Sequence, residues 1–144
     1  MKIRLYKTPT KFNPAEIKSA AMFFGEMLMG SRLCDNLDLK IRFSKNEGNT
    51  AIWEDDARRH REFTITLEDF RGYTYMLQSL AHEMVHVKQY ARGELRDYDD
   101  GVDTYSWLGE KRDWSDVDYW DLPWEIEAHG RERGLYFRYR EMKR

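Results

Sequence analysis

The segment RGYTYMLQSLAHEMVHVKQYARG, residues 71–93, decides the fold. Tyr73, Met76, Leu77, Leu80, Met84 and Val87 recur with the 3.6-residue period of a helix. They predict one from about Arg71 to Tyr90, with Gly93 as its stop. On that helix Met76, Leu80, Met84 and Val87 lie roughly opposite His82 and His86. One side is therefore expected to pack into a core. The other, which also carries Tyr75, Ser79 and Gln89, is expected to present a polar, accessible surface.

The polar side carries a motif. His82-Glu83-Met84-Val85-His86 reads H-E-x-x-H. Residues four apart on a helix share a face one turn apart, so both imidazoles can reach one ion. Zinc favours such nitrogen ligands in tetrahedral geometry. Glu83 lies beside the pair and can take a proton from metal-activated water instead of binding the ion. With four His and thirteen Glu in the chain, chance supplies this motif in about one such sequence in a hundred.

Outward from this helix, the elements predict an α+β domain. Met1 to Tyr6 alternates and reads as a short strand. Pro14 opens a helix capped by Asn13 and ending near Gly30, with Ile17, Ala20, Ala21, Phe24, Leu28 and, at the margin, Met27 as its apolar face. Leu39–Phe43, Thr50–Trp53 and Glu62–Leu67 read as three strands of a small meandering sheet, mixed or antiparallel. Glu94 to Asp121 is acidic and aromatic, with turn signals at Asp100-Gly101 and Leu108-Gly109. It reads as an ordered functional loop that can carry a short hairpin, rather than as a linker. Pro123 opens a third helix that runs toward the C-terminus.

Size and composition set the bounds. At 144 residues, 35% charged and 15% aromatic, the chain suits a single domain, 1–144, whose core uses few, large side chains. A net charge of −2 predicts no general affinity for nucleic acid or acidic membranes. Cys34 is the sole cysteine and reads as a small buried hydrophobe, so no disulfide framework or zinc ribbon is expected. No apolar leader opens the chain, and Ala20 to Met29 is too short to span a bilayer, which predicts a cytoplasmic protein.

A catalytic zinc site keeps three protein ligands and one open position. The candidates for the third lie in Pro123-Trp124-Glu125-Ile126-Glu127-Ala128-His129. Glu125 and His129 are four apart and share a face, while Glu127 points elsewhere. Glu125 also stands in the first turn, where the helix dipole favours a carboxylate.

Here the sequence resembles the gluzincins, and in particular the compact single-domain minigluzincin type. In these an H-E-x-x-H helix is followed by a second helix with a glutamate ligand in an E-x-x-A pattern, shared by ImmA/IrrE-type and HtpX-type peptidases. The pattern here is Glu125-Ile126-Glu127-Ala128, and the resemblance carries the ligand role onto Glu125. The chain is also similar to small phage- and prophage-encoded metallopeptidase-like proteins with a Trp-x-Gly stretch, here Trp107-Leu108-Gly109, before a Pro-Trp-Glu helix. That source would put it in the host-cell cytoplasm. The resemblance covers about Leu39 to Arg138. One departure is His129, where Asp or Asn usually follows the pattern. It leaves Glu127 and His129 open as third ligand or as a group supporting one. SprT/Spartan-like proteins, which use a third histidine, favour His129.

The resemblance implies a zincin-like fold and a zinc endopeptidase acting on protein or peptide substrates, with Glu83 as general base. Tyr105, Tyr119 or His129 would help the oxyanion. The strand Glu62–Leu67 would form the cleft rim and pair with an extended substrate. The alternative is a catalytically silent, zinc-binding, peptidase-like module acting in regulation or interaction. Glu83 argues against it, because a purely structural site needs no general base. Several other features have plainer readings. Asp97–Asp103 does not match calcium-loop spacing and reads as a solvated acidic loop that could act as a lid. Trp107, Trp114, Trp120 and Trp124 read as local packing. Arg131–Arg144, with six basic and two acidic residues, reads as an amphipathic helix with a solvated face.

Overall fold

The computed structural model describes residues 1–98 and 103–144. Strand β1 (Lys2–Tyr6) is followed by helix α1 (Pro14–Met29) and one helical turn, α2 (Ser31–Cys34). Strands β2 (Asp38–Ser44), β3 (Thr50–Trp53) and β4 (Glu62–Glu68) lead into helix α3 (Tyr73–Ala91). Three short strands, β5 (Leu95–Asp97), β6 (Thr104–Trp107) and β7 (Glu110–Asp113), precede a 3₁₀ turn at Tyr119–Asp121 and helix α4 (Pro123–Met142). The α+β class is as the sequence predicts. No helix among the described residues is long and apolar enough to cross a membrane.

The main sheet is mixed and is not a meander. Its order is β1-β2-β4-β3, with β1 parallel to β2, β2 parallel to β4, and β3 antiparallel to β4 at the edge. The reason lies in β4. Phe63, Ile65 and Leu67 are buried on one face, and Thr64 and Thr66 are buried on the other. Those threonines are covered by side chains reaching from both neighbours: Thr64 Oγ1 donates to Glu54 at 2.7 Å, and Arg42 donates to Thr66 Oγ1 at 3.1 Å. A strand buried on both faces belongs at the centre of a sheet. Its alternating partner β2 takes one side and the four-residue β3 the exposed rim.

Helix ends follow the predicted signals. Asn13 accepts from the Ala15 amide at 3.0 Å and Pro14 follows in the first turn of α1. At the end of α3, Gly93 has φ 71°, its amide bonds Tyr90 O at 3.0 Å, and the Glu94 amide bonds Gln89 O at 2.9 Å. This pair of bonds is the Schellman stop, which needs the left-handed residue that glycine supplies. Met27 is 45% exposed and lies outside the apolar face of α1, whose last buried residues are Leu28 and Met29.

Residues 94–121 hold more regular structure than the predicted loop. β5, β6 and β7 form an antiparallel sheet, and Leu108-Gly109 turns β6 into β7 with φ of 50° and 89°. Positive φ at both central residues is the two-residue turn that suits a hairpin's twist. The Asp100-Gly101 turn signal and most of the Asp97–Asp103 acidic run lie outside the described residues. Helices α1 and α3 cover the sheet face carrying Leu39, Ile41, Phe43 and Ile65, and α4 packs on α3. Cys34 is fully buried, as expected. The C-terminal run is the end of α4, with Leu135, Tyr136 and Tyr139 buried and Phe137 half exposed.

A candidate metal centre

The histidine side of α3 faces a cleft, as its polarity predicts, but is more enclosed than an open surface. His82 and His86 are each 8% exposed, Glu83 is 4% exposed and Gln89 is fully buried, because α4 lies across them. Where α4 covers the polar side of α3, the polar groups there must be satisfied internally. How it is satisfied determines the chemistry available.

Each imidazole is held by its Nδ1. His82 Nδ1 donates to Glu132 Oε2 at 3.1 Å, His86 Nδ1 to Gln89 Oε1 at 2.8 Å, and His129 Nδ1 to Glu132 Oε1 at 3.1 Å. With an acceptor facing every Nδ1, the neutral tautomer carries its proton there and leaves Nε2 as a bare lone pair. Those lone pairs converge. His82 Nε2 and His86 Nε2 are 3.2 Å apart, and they lie 3.2 and 3.1 Å from Glu125 Oε1 and Oε2 respectively. His129 Nε2 is 3.9 Å from Glu125 Oε1. His82, Glu125 and His129 form a group that could hold a metal ion, one ligand atom from each lying within 4.8 Å of the others. Imidazole nitrogens and a carboxylate gathered on one point are ligands that a metal ion, or the protons it would displace, can occupy.

The electrostatics agree. Burial alone would lower the pKa of His82, but hydrogen bonds with Glu125 and Glu132 outweigh it and push it up to about 10. His86 is raised against burial by Glu125. Burial would raise the Glu125 carboxyl, yet hydrogen bonds with His82 and His86 hold it far below the carboxylate range. The cluster therefore draws positive charge, and a metal ion competes with protons for the same nitrogens.

Glu83 differs from its neighbours. Its carboxyl makes no hydrogen bond among the described residues, and burial raises its pKa to about 7. It borders two hollows of about 370 and 280 Å³ that share His82, Glu83, Tyr119 and Asn49, so they meet beside the ligand cluster. Thr50 and Ala51 of β3 line the second hollow. The rim is thus β3, the free edge of the sheet; the predicted rim, Glu62–Leu67, is covered by β3 and lies at the sheet's centre. Asn49 pins the start of β3 to α3 by donating to Ser79 Oγ at 3.2 Å, and to the end of β4 by accepting from the Glu68 amide at 2.9 Å.

The remaining candidates separate. The Tyr119 hydroxyl donates to Glu125 Oε1 at 2.8 Å and lies 3.0 Å from His129 Nε2. Tyr105 lines the smaller hollow with its ring 5.3 Å from Trp124. Glu127 is drawn away: it bonds Lys88 at 2.6 Å and Gln89 Nε2 at 2.9 Å. Trp107 and Trp114 pack on Trp124, with centroids 6.1 and 5.1 Å away, whereas Trp120 lies 4.9 Å from His129 and is 66% exposed. Sequence reasoning missed Glu132, whose carboxylate joins two histidines. The signal was the 125/129/132 spacing, which puts all three on one helical face.

No protein-family model matches this chain, and comparisons with curated proteins and with solved structures found no match.

Proposed function

We propose that this protein is a zinc-dependent endopeptidase of the gluzincin type. His82, His86 and Glu125 hold the ion, and Glu83 is the general base. The donor set fits zinc, because two imidazole Nε2 atoms and a carboxylate are its usual catalytic ligands and leave one position open. When bound, zinc supplies a Lewis acid that lowers the pKa of water toward neutrality and polarises a carbonyl.

The observation that carries this reading is the carboxyl of Glu83, which makes no hydrogen bond among the described residues and lines both cavities beside ligands that are all supported. A carboxylate left free beside a metal site can take a proton, a role that a purely structural site does not need. With a pKa near 7 it accepts a proton from the attacking water and returns it to the leaving amine at neutral pH. Glu132 and Gln89 hold the imidazole tautomers. Tyr119 is the group we assign to the developing oxyanion, with the free edge of β3 receiving an extended peptide by strand addition.

A second reading, a catalytically silent zinc-binding module, draws on His129: a fourth protein ligand would close the shell. Cleavage of an unstructured protein such as casein separates the two. The peptidase reading expects hydrolysis that a chelator abolishes and added zinc restores. Zinc-loaded protein that leaves a panel of unstructured substrates intact would favour the silent module.

A further inference from the structure

The three-stranded sheet divides two different surfaces. Strand alternation sends Tyr105 and Trp107 toward Trp124, which with Tyr105 lines the metal cavity. Arg96 and Ser106, directly opposite each other across β5 and β6, face the other way. There they join Arg58 and Arg59, from the segment between β3 and β4, around a cavity of about 450 Å³.

Among the described residues, no carboxylate pairs with any of these three guanidinium groups. That is unusual in a chain whose net charge is −2, and two nearby acids are engaged elsewhere. Asp55 accepts from His60 and from the Arg61 amide, and Glu94 lies 2.8 Å from Lys88. The arginines are also positioned. The side chain of Arg59 lies over Gly93, 3.5 Å from where a Cβ would stand, and the guanidinium of Arg96 lies 5.0 Å from the centre of the Tyr98 ring. Lys111 approaches the same ring at 4.0 Å and adds to the positive field. On the wall, Ser106 is 7% exposed, and its hydroxyl has no hydrogen-bond partner among the described residues.

Like charges brought together repel unless an anion joins them, and guanidinium forks match tetrahedral oxyanions. We propose that this cavity binds a phosphate-class oxyanion, either free phosphate or the phosphate of a small ester, held by Arg58, Arg59 and Arg96 with Ser106 donating from the wall. Its volume lies within the range of small-molecule sites and exceeds a bare ion, leaving room beside Tyr98 for an organic group. The site is separate from the metal centre and does not depend on the peptidase reading.

The test is titration of the full-length protein with inorganic phosphate and with AMP at constant ionic strength, followed by calorimetry and by the amide signals of Gly93, Ser106 and Gly109. Saturable binding that moves those amides is expected. It should weaken at least tenfold in Arg59→Gln/Arg96→Gln and measurably in Arg58→Gln, an exposed single change that leaves the fold intact. Phosphate binding as tightly as AMP would identify the free ion as the ligand, and AMP binding at least tenfold tighter would identify an ester. No saturation by either probe up to about 10 mM, weaker than any affinity worth about 3 kcal/mol, would overturn the proposal. So would binding that Arg58→Gln and the double variant leave unchanged.

Discussion

Replacing Gln89 by Leu keeps the volume of a fully buried side chain and removes its polar atoms. Gln89 Oε1 accepts from His86 Nδ1 at 2.8 Å, while Nε2 donates to Trp124 O at 3.0 Å and to Glu127 Oε1 at 2.9 Å. Glu127 keeps Lys88 and Arg131, so its loss is small. Trp124 O keeps its helical bond from the Ala128 amide, so His86 Nδ1 is the one partner left buried without a bond. An orphaned buried group costs about 1–3 kcal/mol, and the variant should be destabilised by about that much. The assay is urea unfolding of chelator-treated protein, which keeps metal linkage out of the result, with the loss read as a lower midpoint at constant slope. In metal-loaded protein the imidazole of His86 is no longer oriented, and zinc affinity should fall about 10–100-fold in a chelator competition. A midpoint shift worth less than about 0.5 kcal/mol, together with unchanged zinc affinity, would refute the reasoning.

Three further outcomes are expected. Tyr119→Phe removes the 2.8 Å bond to Glu125 and the proposed donor to the oxyanion; at saturating zinc kcat should fall about tenfold or more, and unchanged kcat would free Tyr119 of the role. Glu127→Gln tests pH dependence. Burial would raise the Glu127 carboxyl, but hydrogen bonds from Lys88 and Gln89 outweigh it and lower its pKa below the ordinary glutamate value. A depressed carboxyl stabilises the fold above its ordinary pKa and loses that contribution as pH falls through the folded value. The wild type should therefore lead the variant by about 1 kcal/mol at pH 7, after allowance for partial exposure, and the gap should close in acid; a gap constant with pH would contradict the assignment. Gly25→Ala sets a Cβ 2.8 Å from Cys34 Sγ and should cost about 1 kcal/mol or more despite alanine's better helix propensity. Adding Cys34→Ala should recover that loss, as thermal unfolding of the double variant would show.

Short-range signals were readable from the residues alone. Asn13-Pro14, Gly93 and the apolar stripe of α3 each act within a turn or two, and the helices begin and end close to where these predict. The H-E-x-x-H motif is equally local, and both imidazoles meet Glu125. What was not legible depends on packing between distant segments. The meander fails because pairing is decided by which strand is buried on both faces, and the burial of Thr64 and Thr66 comes from Glu54 and Arg42. The rim moves to β3 for the same reason. Polarity made the histidine side of α3 look solvent-facing; α4 instead covers it and supplies Glu125, His129 and Glu132 as partners. Glu127 was a candidate ligand by spacing alone, and its capture by Lys88 requires knowing that Lys88 is buried.

The central claim is that one buried group, Glu83, is the base of a zinc peptidase. The direct measurement is zinc content alongside cleavage of an unstructured protein, wild type beside Glu83→Gln. Glu83 lines the cavities without bonding any ligand, so both proteins should carry one zinc per chain. The wild type should cleave, and the variant should be slower by about 10²–10⁴-fold. Equal cleavage by both proteins, or no zinc in either after metal-replete expression, would contradict it.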